Sequence, residues 1–156
     1  MLEKSFGYQE PGRDYVTREG AYAVLMDEDG RVGIVEAPAA HGPSMGLFLV
    51  GGGIEPGETP EECIRRECLE EIGSTVEIIQ ELCLGDDYLY APSTPCWLHV
   101  VGHCYLCKLL DKVKESVEKD HTFMWLPWQE AEAAMFLRYQ SWAVCLGAEA
   151  AEKKEK

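Results

Sequence analysis

Apolar and polar positions fall into short blocks along most of the chain, each bounded by glycine, proline or acidic turn formers. Ala21–Met26 (AYAVLM) and Arg31–Ala37 (RVGIVEA) are β-type runs, and the DEDG between them predicts a hairpin. Pro38–Gly46 reads as a loop and Leu47–Val50 as a short buried strand. Thr75–Gly85 predicts another strand, with a polar turn and loop over Asp86–Pro95. Cys96–Leu110 is a long strand candidate, Asp111–His121 a charged loop and Thr122–Leu126 a last strand. Pro127–Gly147 has proline at the first helical position and glycine at the end, so it predicts a helix. The charged tail over 148–156 is expected to fray. Strands mixed with two separated helices indicate an α/β or α+β layer architecture.

The second helix lies inside LVGGGIEPGETPEECIRRECLEEIGS, Leu49–Ser74, and its ends are unusually well marked. Thr59 is a good N-cap, Pro60 takes the first helical position, and Glu62 completes a T-x-x-E capping box. Gly73 suits the left-handed residue just past the end, which leaves a helix over Pro60–Ile72. At 100° per residue Ile64, Cys68 and Ile72 share one stripe, with Leu69 at its edge. Glu67, Glu70 and Glu71 share another, at i, i+3 and i+4.

Size and charge narrow what that acidic stripe does. A chain of 156 residues and 17.5 kDa is expected to form one domain, here over 1–147. A net charge of −14 repels a phosphate backbone, so nucleic-acid polymers are poor partners. A small phosphorylated ligand remains open, because a bound divalent cation reverses the local sign. No apolar run is long enough for a membrane span, and the N-terminus lacks the apolar core of a secretory signal. Seven cysteines without such a signal suggest reduced thiols and a cytoplasmic protein.

Two carboxylates about 6 Å apart repel by roughly 3 kcal/mol at an effective dielectric near 20, and by a few tenths in open water. Two readings therefore stand: a solvated acidic face, or a face in a cleft bridged by a cation. The neighbourhood favours the cation. A glycine-rich loop with Glu55 and Glu58 precedes the helix, and glycine backbone N–H groups approach phosphate oxygens closely. Carboxylate oxygens suit Mg²⁺ or Mn²⁺ rather than zinc.

The segment resembles the signature of the Nudix (MutT-type) hydrolases, G-x5-E-x7-R-E-U-x-E-E-x-G-U, where U is a bulky aliphatic. Gly52, Glu58, Arg66, Glu67, Glu70, Glu71 and Gly73 fall on its fixed positions, while Cys68 and Ser74 occupy the U positions. Neither departure removes a proposed ligand. The resemblance implies an α/β/α sandwich around a mixed β-sheet. It also implies a metal-dependent hydrolase that opens the pyrophosphate linkage of a nucleoside triphosphate or nucleoside diphosphate derivative. Glu67, Glu70 and Glu71 would ligate Mg²⁺ or Mn²⁺, with Glu67 or Glu70 alternatively the base for the attacking water. Arg66 would orient the glutamates by ion pairing. Gly52, Gly53 and Glu58 would form the phosphate and metal loop, with Glu58 in a supporting role. Many members add a carboxylate from outside the signature. Glu118 and Asp120 stand where one is expected, and solvated loop charges explain them equally; His121 in the same loop is weighed the same way.

Other motifs carry less. Cys104 and Cys107 form a lone CxxC, and positions i and i+3 of a strand face opposite sides, so they are poor partners for one metal. Cys63 sits on the acidic stripe and reads as a packed thiol. His99, Val101, His103 and Tyr105 alternate on one face of the long strand, with Trp97 at its head. That face either lines a nucleotide pocket or packs under a helix. Tyr88 and Tyr90 are comparable base-stacking candidates in the expected loop. Met135, Leu137, Tyr139, Trp142 and Leu146 fit core or homodimer contacts. The rival readings are a catalytically inactive nucleotide-sensing or interaction domain and an isoprenoid-diphosphate isomerase. Intact glutamates argue against the first, and the second needs a cysteine facing a glutamate across the pocket.

Overall fold

The computed structural model describes residues 2–37, 46–92, 94–116 and 121–154. Among them the strands are β1 (Leu2–Ser5), β2 (Tyr15–Met26), β3 (Arg31–Ala37), β4 (Gly46–Gly53), β5 (Ser74–Ala91), β6 (Cys96–Lys112) and β7 (Thr122–Pro127). The helices are α1 (Pro60–Ile72), α2 (Trp128–Ala134) and α3 (Arg138–Lys154). The strands form one sheet in the order β1-β5-β6-β2-β4-β3-β7. It is mixed: β1 with β5 and β2 with β6 run parallel, and the other neighbours run antiparallel.

Alternation along the central strands builds a core on each side. Ala21, Ala23 and Leu25 of β2, with Tyr105 and Cys107 of β6, pack with Cys63, Ile64 and Cys68 of α1. Val24 of β2, with Cys104 and Leu106 of β6, packs with Tyr139, Ala143 and Val144 of α3. The result is the expected α/β/α sandwich. It also separates Cys104 from Cys107, which face opposite cores.

Helix α1 has the expected bounds and the expected ends. The Glu62 N–H donates to Thr59 Oγ1 at 3.1 Å, and the Thr59 N–H to Glu62 Oε1 at 3.0 Å. Gly73 closes the helix at φ 61°, its N–H donating to Leu69 O at 3.1 Å. A Cβ there would run into the backbone carbonyl of Lys114.

Elsewhere the strands outrun their apolar blocks. Tyr15–Gly20 extends β2 by pairing in parallel with Trp97–Gly102. Asp86–Ala91, expected as turn and loop, is strand, because it pairs antiparallel with Cys96–Val101. Tyr88 and Tyr90 therefore sit on β5 rather than in a loop. The exposed β1, a stretch with no strand pattern, forms by pairing with Cys83–Asp86. The helix expected over Pro127–Gly147 is two helices. Met135 turns extended at ψ 137° and bridges Leu47, and the Phe136 N–H donates to Leu47 O at 3.0 Å. Gly147 lies inside α3, where a Cβ would stand 2.6 Å from Val24 Cγ1. Helix then continues to Lys154 through the stretch expected to fray, and Ala148 is buried. No helix among the described residues is long and apolar enough to cross a membrane.

Candidate active site

The glycine-rich end of β4 pairs with β2, Gly51 against Tyr22, Gly52 against Ala21 and Gly53 against Gly20. Helix α1 lays its glutamates along this end. Glu67 lies over Gly52 so closely that a Cβ on the glycine would stand 2.5 Å from Glu67 Oε1. The glycine is thus the space in which Glu67 sits. Glu71 Oε1 accepts the Gly51 N–H at 2.8 Å, and its Oε2 lies 3.3 Å from His121 Nδ1. Glu67 and Glu71 are 8% and 7% exposed, so this part of the stripe looks inward. The Glu70 carboxylate, 37% exposed, is open to solvent at the rim.

Arg66 organises the group. Its Nε and Nη2 grip both oxygens of Glu58 at 2.8 and 2.9 Å, and Nη2 also donates to Gly53 O at 2.9 Å. Its Nη1 meets Glu67 Oε1 at 2.9 Å and Glu70 Oε2 at 3.3 Å. Those hydrogen bonds hold the Glu58 carboxyl down at about 2 and raise the guanidinium above its ordinary value. Cys63 is buried beneath, its thiol donating to Gly52 O at 3.4 Å, and burial pushes it up to about 12. It is a packed thiol.

The donor set suits a hard divalent cation, which prefers carboxylate oxygens. Glu67 and Glu70 both accept from the same nitrogen, Arg66 Nη1. Among the described residues no three acidic, histidine or cysteine side chains converge on a shared cation position. Glu118 and Asp120 lie outside the described residues, and His121, beside them in sequence, borders Glu71.

A cleft of about 270 Å³ opens beside Gly53 on the α3 side of the sheet, lined also by Arg18, Tyr22, Val100, Leu137 and Tyr139. Gly85 and Gly102 leave room for the buried Tyr139 ring. Gln140 holds Tyr139 in place, donating to its hydroxyl at 3.5 Å while accepting the Leu49 N–H at 2.8 Å. Burial pushes Tyr22 up to about 12, so it stays protonated beside Tyr139.

The base-stacking candidates Tyr88, Tyr90 and Trp97 are not among the residues that line this cleft. Tyr88 stacks on His99 at 4.4 Å, Tyr90 meets the Trp97 edge at 5.1 Å, and Arg13 lies 3.7 Å over Trp97. His99 pairs with Asp86 at 2.5 Å and His103 with Glu19 at 2.6 Å. Tyr88, Tyr90, Trp97 and His99 gather where the C-terminal end of β5 pairs with the N-terminal end of β6, and none of these four lines the cleft beside Gly53, whereas Glu19 does. The cleft takes Leu98 and Val100 instead, the alternate residues of β6. A second cavity of about 500 Å³, between Met26, Ile79, Leu106, Leu109 and Trp125, shares no residue with α1 or the glycine turn.

The NUDIX domain family matches residues 16–143. The nucleoside triphosphatase NudI of Enterobacter sp. (strain 638) is 63% identical over 80 residues, 48% of this chain and 52% of that protein. The protein of the same name from Klebsiella pneumoniae is 35% identical over 65 residues, 40% of this chain and 46% of its own length. The chain thus spans about half the length of the curated relatives it matches. Among solved structures, a NUDIX hydrolase from Nitrosomonas europaea superposes with a TM-score of 0.68 at 16% identity, over 88% of this chain and 91% of that one. A MutT NUDIX hydrolase from Burkholderia pseudomallei gives 0.64 at 22% identity, over 84% and 98%. With its glycine turn, glutamate helix and sandwich fold matched over most of its length, the chain belongs to the Nudix hydrolase family.

Proposed function

We propose that the chain is a divalent-cation-dependent hydrolase that opens a phosphoanhydride bond in a nucleoside triphosphate or nucleoside diphosphate derivative. The observation that supports this is the packing of the glutamate stripe of α1 against the glycine turn, Glu67 over Gly52 and Glu71 on the Gly51 N–H, with the cleft opening at Gly53. Mg²⁺ or Mn²⁺ bound by Glu67, Glu70 and Glu71 would neutralise phosphate charge and acidify water.

The chain's own groups do the rest. Glu67 or Glu70 takes the proton of the attacking water as the new P–O bond forms and the anhydride P–O bond breaks. Arg66, saturated by acceptors, holds the carboxylates in register and keeps Glu58 ionised. The cleft takes the nucleoside half between Tyr22, Leu98, Val100 and Leu137. Two relatives bear the name nucleoside triphosphatase, so triphosphates come first among the substrates to try. We also read residues 1–147, with the continuation of α3, as one catalytic domain. All seven cysteines are free thiols, which suits the cytoplasm.

The test is a panel of nucleoside triphosphates, oxidised nucleotides, nucleotide sugars and dinucleoside polyphosphates, with Mg²⁺, with Mn²⁺ and with EDTA. At least one should release phosphate or pyrophosphate only when metal is present. Glu70→Gln should lower kcat by more than about a hundredfold, beyond what loss of an outer partner costs, with an unchanged circular dichroism spectrum. Turnover that survives EDTA, or that ignores Glu70→Gln, overturns the assignment. A wild-type chain that binds nucleotides but turns over none of the panel is instead a sensing domain.

A further inference from the structure

The site contains two arginines in opposite circumstances. Arg66 is saturated: Glu58, Glu67, Glu70 and the Gly53 carbonyl take its donors. It has nothing left to offer a substrate. Arg18 lines the cleft beside Gly53 and is exposed, and among the described residues no carboxylate pairs with it. Its neighbour Glu19 does not neutralise it, because that carboxylate engages His103 at 2.6 Å. An unneutralised guanidinium in a cleft wall stands out in a chain of net charge −14.

Register fixes where Arg18 can act. It pairs with Val100, another residue of the cleft wall, and stands two positions before Gly20, which pairs with Gly53. At about 3.3 Å per strand residue, its Cα lies roughly 7 Å along β2 from Gly20, a span an extended arginine side chain covers. The guanidinium thus serves the same cleft that opens onto the glycine turn. Glu67, Glu70 and Glu71, on α1 beyond the cleft lining, repel any phosphate that a cation does not screen. A phosphate lying toward the cleft needs positive charge from the protein, and a planar guanidinium binds phosphate oxygens in pairs.

We propose that Arg18 is the anion seat of the cleft, gripping the phosphate that stays on the nucleoside while the glutamate side handles the attacked phosphorus. This rests on the hydrolase reading above and names the missing half of its substrate contacts. Arg18 is a positioning residue for binding, with no part in the proton transfer.

The experiment compares wild type, Arg18→Gln and Arg18→Lys on the best nucleotide of the panel. Alongside, calorimetry measures binding of the matching nucleoside monophosphate and of the bare nucleoside. Arg18→Gln should raise KM, and weaken the monophosphate, by about tenfold or more, as expected for a lost hydrogen bond to a charged group. It should leave kcat within about threefold, the pattern of lost uniform binding. Nucleoside affinity should stay unchanged, and Arg18→Lys should recover part of the monophosphate affinity. Equal KM and monophosphate affinity for wild type and Arg18→Gln would overturn the proposal. So would a parallel loss for the bare nucleoside, which would make Arg18 a base or packing contact. If wild type hydrolyses nothing, the reaction assignment falls, and the calorimetric comparison still decides the role of Arg18.

Discussion

Gly73 and Gly147 look alike in the sequence, each closing an amphipathic run that reads as a helix. At Gly73 the backbone adopts φ 61° and α1 stops. At Gly147 the helix continues to Lys154, and the missing side chain makes room for Val24 of β2. The first glycine acts through its own dihedral angle, the second through what lies across from it. The difference extends to the whole of each helix. Helix α1 is delimited by its neighbours in sequence: Thr59, Pro60, Glu62 and Gly73. The division between α2 and α3 is imposed from β4, where Leu47 captures Met135 and Phe136.

The comparison can be broken most forcefully at Gly73. Gly73→Ala should cost about 3 kcal/mol, combining the left-handed penalty with displacement of the Lys114 carbonyl. That corresponds to a fall in Tm of roughly 6–12 °C by calorimetry; an unchanged Tm would mean that the turn reforms without it. Gly147→Ala should cost less, about 1 kcal/mol, because overpacking against Val24 is offset by about 1 kcal/mol of helix propensity. A variant more stable than wild type in denaturant melts would show that Gly147 is only a poor helix residue, with no packing role. The smallest effect lies at the start of α1. Hydrogen bonds from the Thr59 backbone and side chain lower the Glu62 carboxyl below its ordinary 4.5. Its stabilising contribution is therefore complete above that value and disappears as pH falls through the lower, folded-state one. Melting curves of wild type and Glu62→Gln should differ at neutral pH and converge in acid, and a gap that persists in strong acid would remove charge from the explanation.

What the sequence revealed of the site follows the same division. Arg66, Glu67, Glu70 and Glu71 stand on one helix with marked ends, so their relative positions follow from helical geometry, and the short loop from Gly53 ties Gly52 and Glu58 to its start. The i, i+4 spacing puts Arg66 beside Glu70, but its saturation also needs Glu58 and the Gly53 carbonyl, which lie before the helix. The cleft has no such local code. It needs Arg18 and Tyr22 from β2, Leu98 and Val100 from β6, Leu137 just before α3 and Tyr139 within it. Those residues meet only because β2 and β6 pair in parallel, a long-range choice that periodicity does not state. Tyr88, Tyr90 and Trp97 drew attention as aromatic rings near the signature, yet they occupy the other face. The glycines at 85 and 102 were the available signal, because two strand glycines imply a bulky neighbour, here Tyr139.

Strand β6 supplies both linings from a single run of chain, with Leu98 and Val100 on one side and His99 and His103 on the other. Point substitutions can therefore alter the cleft beside Gly53 and leave the histidine side alone, or the reverse. Inserting or deleting one residue there would exchange the two, delivering imidazoles into the cleft and withdrawing its aliphatic wall in the same event. Ligand preference in such a protein is free to drift by replacement, whereas any change in strand length must be absorbed beyond the stretch that both sides share.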